Sequence, residues 1–126
     1  MNAAFVDTSC LAAIALGEKE STSLSNRLAE FDKRFASNLL EAELRAAMHR
    51  ENVTPTPGLL DGIDWVIPVR PLHDEINRVL GAGYLRGADC WHLATALYIA
   101  DEPSRIAFLT LDEPQRKVAR ALGFKT

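Results

Sequence analysis

One pattern constrains this chain more than any other. Short, wholly apolar runs stop abruptly beside an acid and give way to helix. Ala3–Val6 halts at Asp7-Thr8-Ser9, and Ile106–Leu109 halts at Thr110, two residues before Asp112. Such runs, bounded by cap-forming residues, fit buried strands followed by helix starts. Arg34–Ser37 is a further candidate strand. Val66–Val69 is a weaker one, moved toward an edge by Pro68, which has no N–H to give a sheet. Helical periods lie between them. Cys10–Leu16 is apolar nearly all round and closes at Gly17, and Ser21–Phe31 carries Leu24, Leu28 and Phe31 at helical spacing. Asn38 opens a helix to Arg50, with Glu41 in the capping-box position and Leu40, Leu44, Ala47 and Met48 as its apolar face. Further helices are expected from Leu72 to about Gly81–Gly83, from Ala88 to Ala100 with Trp91, Ala94, Leu97 and Tyr98 inward, and from Asp112 to Gly123. Strands alternating with helices specify an α/β fold, a central parallel sheet flanked by helices. Sites in such sheets lie outside the carboxyl ends of the strands, the edge where Asp7 and Asp112 are expected.

The chain's 126 residues suit a single domain, 1–126, and 48% hydrophobic content supplies a core without disulfides. Cys10 and Cys90 are too few and too distant for a disulfide framework or zinc site, and two free thiols fit a reducing cytoplasm. The first residues lack the basic stretch and long apolar run of a signal peptide, and no segment is long enough to span a membrane. A formal charge of −3 argues against a simple electrostatic nucleic-acid binder. It leaves room for a metal-dependent nuclease, because two divalent cations would bring about four positive charges into the cleft.

Several acids stand in apolar surroundings. Asp7 follows Phe5-Val6, Asp89 begins an otherwise buried helix, and Glu43 falls on the helical wheel between Leu39 and Ala47, inside the apolar arc. Carboxylates gathered in one cleft repel one another, and a hard cation such as Mg²⁺ or Mn²⁺ relieves that repulsion. Such an ion suits metal-assisted phosphodiester hydrolysis, with Thr8 and Thr110 orienting the acids through their hydroxyls. Each acid also has a plainer role open to it. Asp7 and Asp112 suit helix caps, Gln115 completing the box spacing for Asp112; Asp89 suits a helix dipole; Glu43 can reach solvent. Their joint placement is what favours a site.

Other signals are weaker. His49, His73 and His92 make no tight metal spacing, and His92, three residues after Asp89, reads as a structural histidine. Gly81-Ala82-Gly83 lacks a dinucleotide fingerprint, Gly17-Glu18-Lys19 lacks a P-loop, and no GxSxG surrounds a serine. Trp65 and Trp91 read as packing residues, and Arg116-Lys117-Arg120 as a solvated helix face.

Phe5-Val6-Asp7-Thr8-Ser9, Glu43-Leu44, Arg86-Gly87-Ala88-Asp89-Cys90-Trp91-His92-Leu93-Ala94-Thr95-Ala96 and Leu109-Thr110-Leu111-Asp112 together resemble the PIN-domain family. Size and order resemble in particular the VapC-type toxins of toxin–antitoxin pairs. The resemblance implies a three-layer PIN-like fold and an Mg²⁺- or Mn²⁺-dependent endoribonuclease. It carries the family's acidic roles onto Asp7, Glu43, Asp89 and Asp112. Apart from the resemblance, Arg86 is a candidate for contacting substrate phosphate. The expected partners are RNA, a cognate antitoxin and a second copy in a homodimer. The helices Cys10–Leu16, Ser21–Phe31 and Asn38–Arg50 should flank a groove near the cleft, where Ala12, Ala13 and Leu24 would accept an amphipathic helix. The rival is a PIN-like module that binds RNA or protein without cleaving. A haloacid-dehalogenase phosphatase fails because Ser9 stands where its second Asp should be, and a receiver domain lacks its later Lys. Phe124-Lys125-Thr126 leaves room for only a very short last edge strand.

Overall fold

The computed structural model describes residues 2–126. Its strands are β1 (Ala3–Val6), β2 (Lys33–Ser37), β3 (Ile63–Val66) and β4 (Ile106–Leu109). Its helices are α1 (Thr8–Ala15), α2 (Ser21–Ala29), α3 (Leu40–Arg50), α4 (His73–Ala82), α5 (Gly87–Ile99) and α6 (Glu113–Ala121), with a 3-10 turn at Pro103–Arg105. The strands pair in parallel in the order β3-β2-β1-β4. This is the expected α/β arrangement of a parallel sheet between helical layers, and it is consistent with the PIN fold.

Side-chain alternation along the strands assigns the layers. Ala4 and Val6 of β1, Ala36 of β2, and Ala107 and Leu109 of β4 pack with α1, α2 and α3, burying Leu11, Leu28, Leu40, Leu44 and Met48. Phe5, Phe35 and Phe108 point the other way, into a core built with α4, α5 and α6 around Leu72, Val79, Leu93 and Val118. The Phe5 and Phe108 rings stack with centroids 5.7 Å apart. Each such buried ring contributes roughly 1.5–3 kcal/mol from burial alone.

The register aligns the carboxyl ends. Phe5 pairs with Phe35, Val6 with Leu109 and Ser37 with Val66, so Asp7, Asn38 and Thr110 leave the sheet at one edge. At the outer side of β4 a single bridge joins Ala107 to Lys125, with Phe108 N donating to Lys125 O and Lys125 N to Ile106 O. The turn out of α6 uses Gly123 at φ +99°, a conformation that favours glycine.

Four expectations shift. The third strand in the sequence lies three residues earlier, at Ile63–Val66, because Pro68 ends pairing; Ile67 and Val69 are left exposed. It is the edge strand that Pro68 suggested. The capping box at Asn38 does not form: Leu39 N donates to Ser37 Oγ instead, and Asn38 Oδ1 accepts from Trp91 Nε1. Trp91 and Tyr98 are only half-buried, since their polar tips reach Asn38 and Val69 N–H. The second helix stops at Ala29, two residues before the buried Phe31.

Candidate active site

Asp7 is the best-anchored of the acids. Its backbone N–H continues the β1–β4 ladder to Leu109 O, which holds the residue at the sheet edge. The residue is 3% exposed, and its Oδ2 takes Ser9 N–H (3.2 Å), Ser9 Oγ (2.7 Å) and Thr110 Oγ1 (3.0 Å). Asp7 therefore does cap α1, but with one oxygen only. Oδ1 lies 3.8 Å from His92 Nε2, on the side of Glu43.

Glu43 reaches the same imidazole from α3. His92 Nε2 donates to Glu43 Oε1 at 2.5 Å, and Thr8 Oγ1 donates to the same oxygen at 2.7 Å. The hydrogen bond from His92 and then that from Thr8 hold the Glu43 carboxyl below its usual range, against a partial burial that opposes them. His92 is fully buried, and its other nitrogen, Nδ1, lies 2.7 Å from Ser37 Oγ. Partner chemistry assigns the directions: a carboxylate only accepts, so Nε2 carries a hydrogen, while Ser37 Oγ accepts from Leu39 N–H and points its own hydrogen at Nδ1. A hydroxyl, an imidazole and a carboxylate thus form one chain that sets where Glu43 sits.

Asp89 and Asp112 are held more loosely. Asp112 caps α6 through Gln115 N–H (3.3 Å), and its own N–H goes to Thr110 Oγ1. Asp89 lies in the first turn of α5, half-buried, and among the described residues its carboxylate takes no hydrogen bond. Burial pushes its carboxyl up; Asp7, Asp112 and Glu43 add to the rise, while His92 opposes it. Gln115, fully buried, joins this side to the sheet, its Oε1 2.8 Å from Thr110 Oγ1 and its Nε2 donating to Asp89 O.

The sequence did not single out Ser9, Ser37, His92 or Gln115 for work at this site. Polar type alone gave no signal; their positions at strand ends and early helix turns could have. Arg86 is exposed at the N-cap of α5 and lines a cleft with Asp89 and Asp112, without an ion pair to any of the four acids. Of the basic helix face, Lys117 and Arg120 are exposed, while Arg116 is tied back to Thr110 O. Both thiols are buried, and burial followed by the charge of Asp7 pushes Cys10 up to about 12, so it is no nucleophile.

An all-carboxylate donor set suits a hard divalent cation, and the mutual repulsion at Asp89 is what such an ion relieves. Among the described residues no three His, Cys, Asp or Glu side chains form a ready-made cage. By donor chemistry, carboxylate oxygens fit a hard ion that keeps several waters better than a zinc site, which favours nitrogen and sulfur.

A family model described as PIN domain matches residues 4–121. No curated protein and no solved structure gives a significant match.

Proposed function

The chain belongs to the PIN-domain family, whose members are generally nucleases, and on that premise we propose that it is a divalent-metal-dependent endoribonuclease. What supports this reading is the approach of Asp7 and Glu43 to one imidazole, His92, with Asp89 and Asp112 lining a common cleft and all the acid charges felt at Asp89. Asp7 Oδ1 and the Asp89 carboxylate would hold Mg²⁺ or Mn²⁺. When bound, the ion supplies an acidified water and positive charge against the phosphoryl group. Glu43, fixed by Thr8 and the Ser37–His92 chain, orients water on its side of the cleft through its second oxygen. Asp112 adds negative charge beside Asp89. Ser9 and Thr110 keep Asp7 in one rotamer, so its geometry needs no rearrangement as substrate arrives.

RNA cleavage assayed with Mn²⁺, with Mg²⁺ and with chelator tests this. Cleavage that needs the metal and disappears in Asp7→Asn and Asp89→Asn is the expected result. Metal-independent cleavage, or full activity in either variant, overturns it. Tight RNA binding with no cleavage under any metal would favour the non-catalytic module instead.

In the same reading the chain is the toxin of a VapBC-type pair, a cytoplasmic homodimer restrained by a cognate antitoxin. Exposed Ile67, Val69 and Leu80 support an apolar contact between copies. Leu24, half-buried beside a hollow between α2 and β4, supports a docking place for a partner helix. Ala13 has no part in it, because it is buried in the core. Expression of the chain alone should arrest growth, and co-expression of the antitoxin should restore it. Growth left untouched by an active chain removes the toxin role and leaves the nuclease.

A further inference from the structure

The four residues between α4 and α5 are extended at both ends, with φ and ψ of 167° and 157° at Gly83 and −65° and 158° at Arg86. Extended backbone sends alternate side chains to opposite sides. Gly83 presses so closely on α6 that a Cβ there would stand 2.9 Å from Val118 Cγ2, and Leu85 is buried in the core. Tyr84 and Arg86 point the other way, into solvent. Two inward anchors therefore hold an aromatic ring and a guanidinium side by side on a fixed segment.

Tyr84 is 83% exposed. Trp91 and Tyr98, the other aromatics at the margins of α5, each spend the polar tip on a protein partner. Among the described residues the Tyr84 hydroxyl has none, so neither packing nor hydrogen bonding accounts for the ring's placement. It lines, with Leu85, Arg86, Asp89, Asp112 and Pro114, a cleft of about 410 Å³. Two of the four clustered acids thus share a cleft with an unused aromatic face and a cation.

We propose that Tyr84 and Arg86 form a nucleotide subsite for single-stranded RNA beside the acid cluster, Tyr84 stacking on a base and Arg86 binding the adjoining phosphate. The inference rests on the nuclease reading for its choice of RNA. A base face is available only in an unpaired strand, so this subsite selects single-stranded over duplex RNA. Every base offers a π-face, so the ring selects strandedness with little regard to sequence. Arg86 supplies at this spot the positive charge that a chain of net charge −3 lacks overall.

The test is fluorescence anisotropy with a short, labelled, mixed-sequence single-stranded RNA, in chelator so that no cleavage occurs. Tyr84→Ala should weaken binding about tenfold or more, and Tyr84→Phe, which keeps the ring face, should restore it. Arg86→Ala should lower the slope of log affinity against log salt by about 0.7. A labelled duplex should bind more weakly than the single strand and respond little to Tyr84→Ala. Equal affinity in wild type and Tyr84→Ala, or no single-strand binding by wild type, overturns the subsite. So does a changed oligomeric mass in Tyr84→Ala with RNA affinity intact, which would make the ring a protein contact. Metal-dependent cleavage indifferent to Tyr84 would sink the subsite and spare the nuclease. Tyr84-dependent binding with no cleavage in any metal would do the reverse.

Discussion

The two sides of the acid cluster are built differently. On one side Asp7 and Glu43 receive five hydrogen bonds from Ser9, Thr110, Thr8 and His92, and the Glu43 carboxyl is drawn down. On the other, Asp89 receives none among the described residues and is pushed up by burial and its acidic neighbours. The first side is ordered before anything binds; the second keeps an unrelieved repulsion. Order gives geometry, and repulsion gives a reason to take up a cation. A site of this kind needs both, and here they fall on different residues.

Several measurements would break or sharpen that contrast. The largest effect is on turnover. Asp7→Asn and Asp89→Asn should each lower RNA cleavage by at least about 100-fold with unchanged circular dichroism, the scale of losing a group that stabilises transition-state charge. Next comes metal. Millimolar Mn²⁺ should raise the melting temperature of the wild type, since an ion at a hundred times its dissociation constant contributes about 2.7 kcal/mol. Asp89→Asn should lose most of that gain. An active protein whose melt ignores Mn²⁺ would contradict the division of labour.

Stability without metal should then move in opposite directions on the two sides. Asp7→Ala removes the α1 cap and the acceptor of the Ser9 hydroxyl, a cost of about 1–3 kcal/mol by thermal denaturation. Asp89→Asn removes a repelling charge and should raise the melt instead, by no more than about 1 kcal/mol given solvent screening. Between these lies Ser37→Ala, which cuts the chain to Glu43 and should lower RNA cleavage about tenfold. Unchanged cleavage would reduce Ser37 to a packing residue.

The smallest effect is in pH. Asp89 titrates higher in the folded chain than unfolded, so its penalty is absent in acid and sets in as pH rises through the raised value. The advantage of Asp89→Asn should therefore be greatest at neutral pH and vanish in acid. Glu43 has the opposite sign: its stabilisation is present above the usual Glu range and is lost as pH falls through the depressed value. The cost of Glu43→Gln should accordingly shrink in acid. Melts of the metal-free proteins across pH 3–8 would separate the two, and parallel profiles would refute the contrast.

Much of this molecule could be read from the chain. Strands buried on both faces write themselves as unbroken apolar runs, so β1 and β4 were plain, and the acids that end them followed. The partly exposed edge strand has no such run, and its bounds depended on where pairing stops before Pro68. The supports of the acids were hidden for another reason. Ser9 and Ser37 are ordinary helix-start residues by type, and His92 is a plausible core histidine in any helix. Their importance comes from which distant side chain they meet, 49 residues away for His92 and Glu43, and no local pattern encodes that. Asn38 shows the same principle in reverse: a sound local capping signal lost to a tertiary bond with Trp91.

The single bridge at Lys125 bears on how copies of this chain can meet. An outer strand such as β4, apolar throughout, is a template onto which a second molecule can add its own backbone. Lys125 occupies two of those groups, Phe108 N–H and Ile106 C=O, and at the opposite side β3 runs for four residues before Pro68 interrupts it. Asp64, paired with Lys33 at 3.6 Å, adds charge to that short margin. Each margin thus carries a feature that discourages another strand from adding to it.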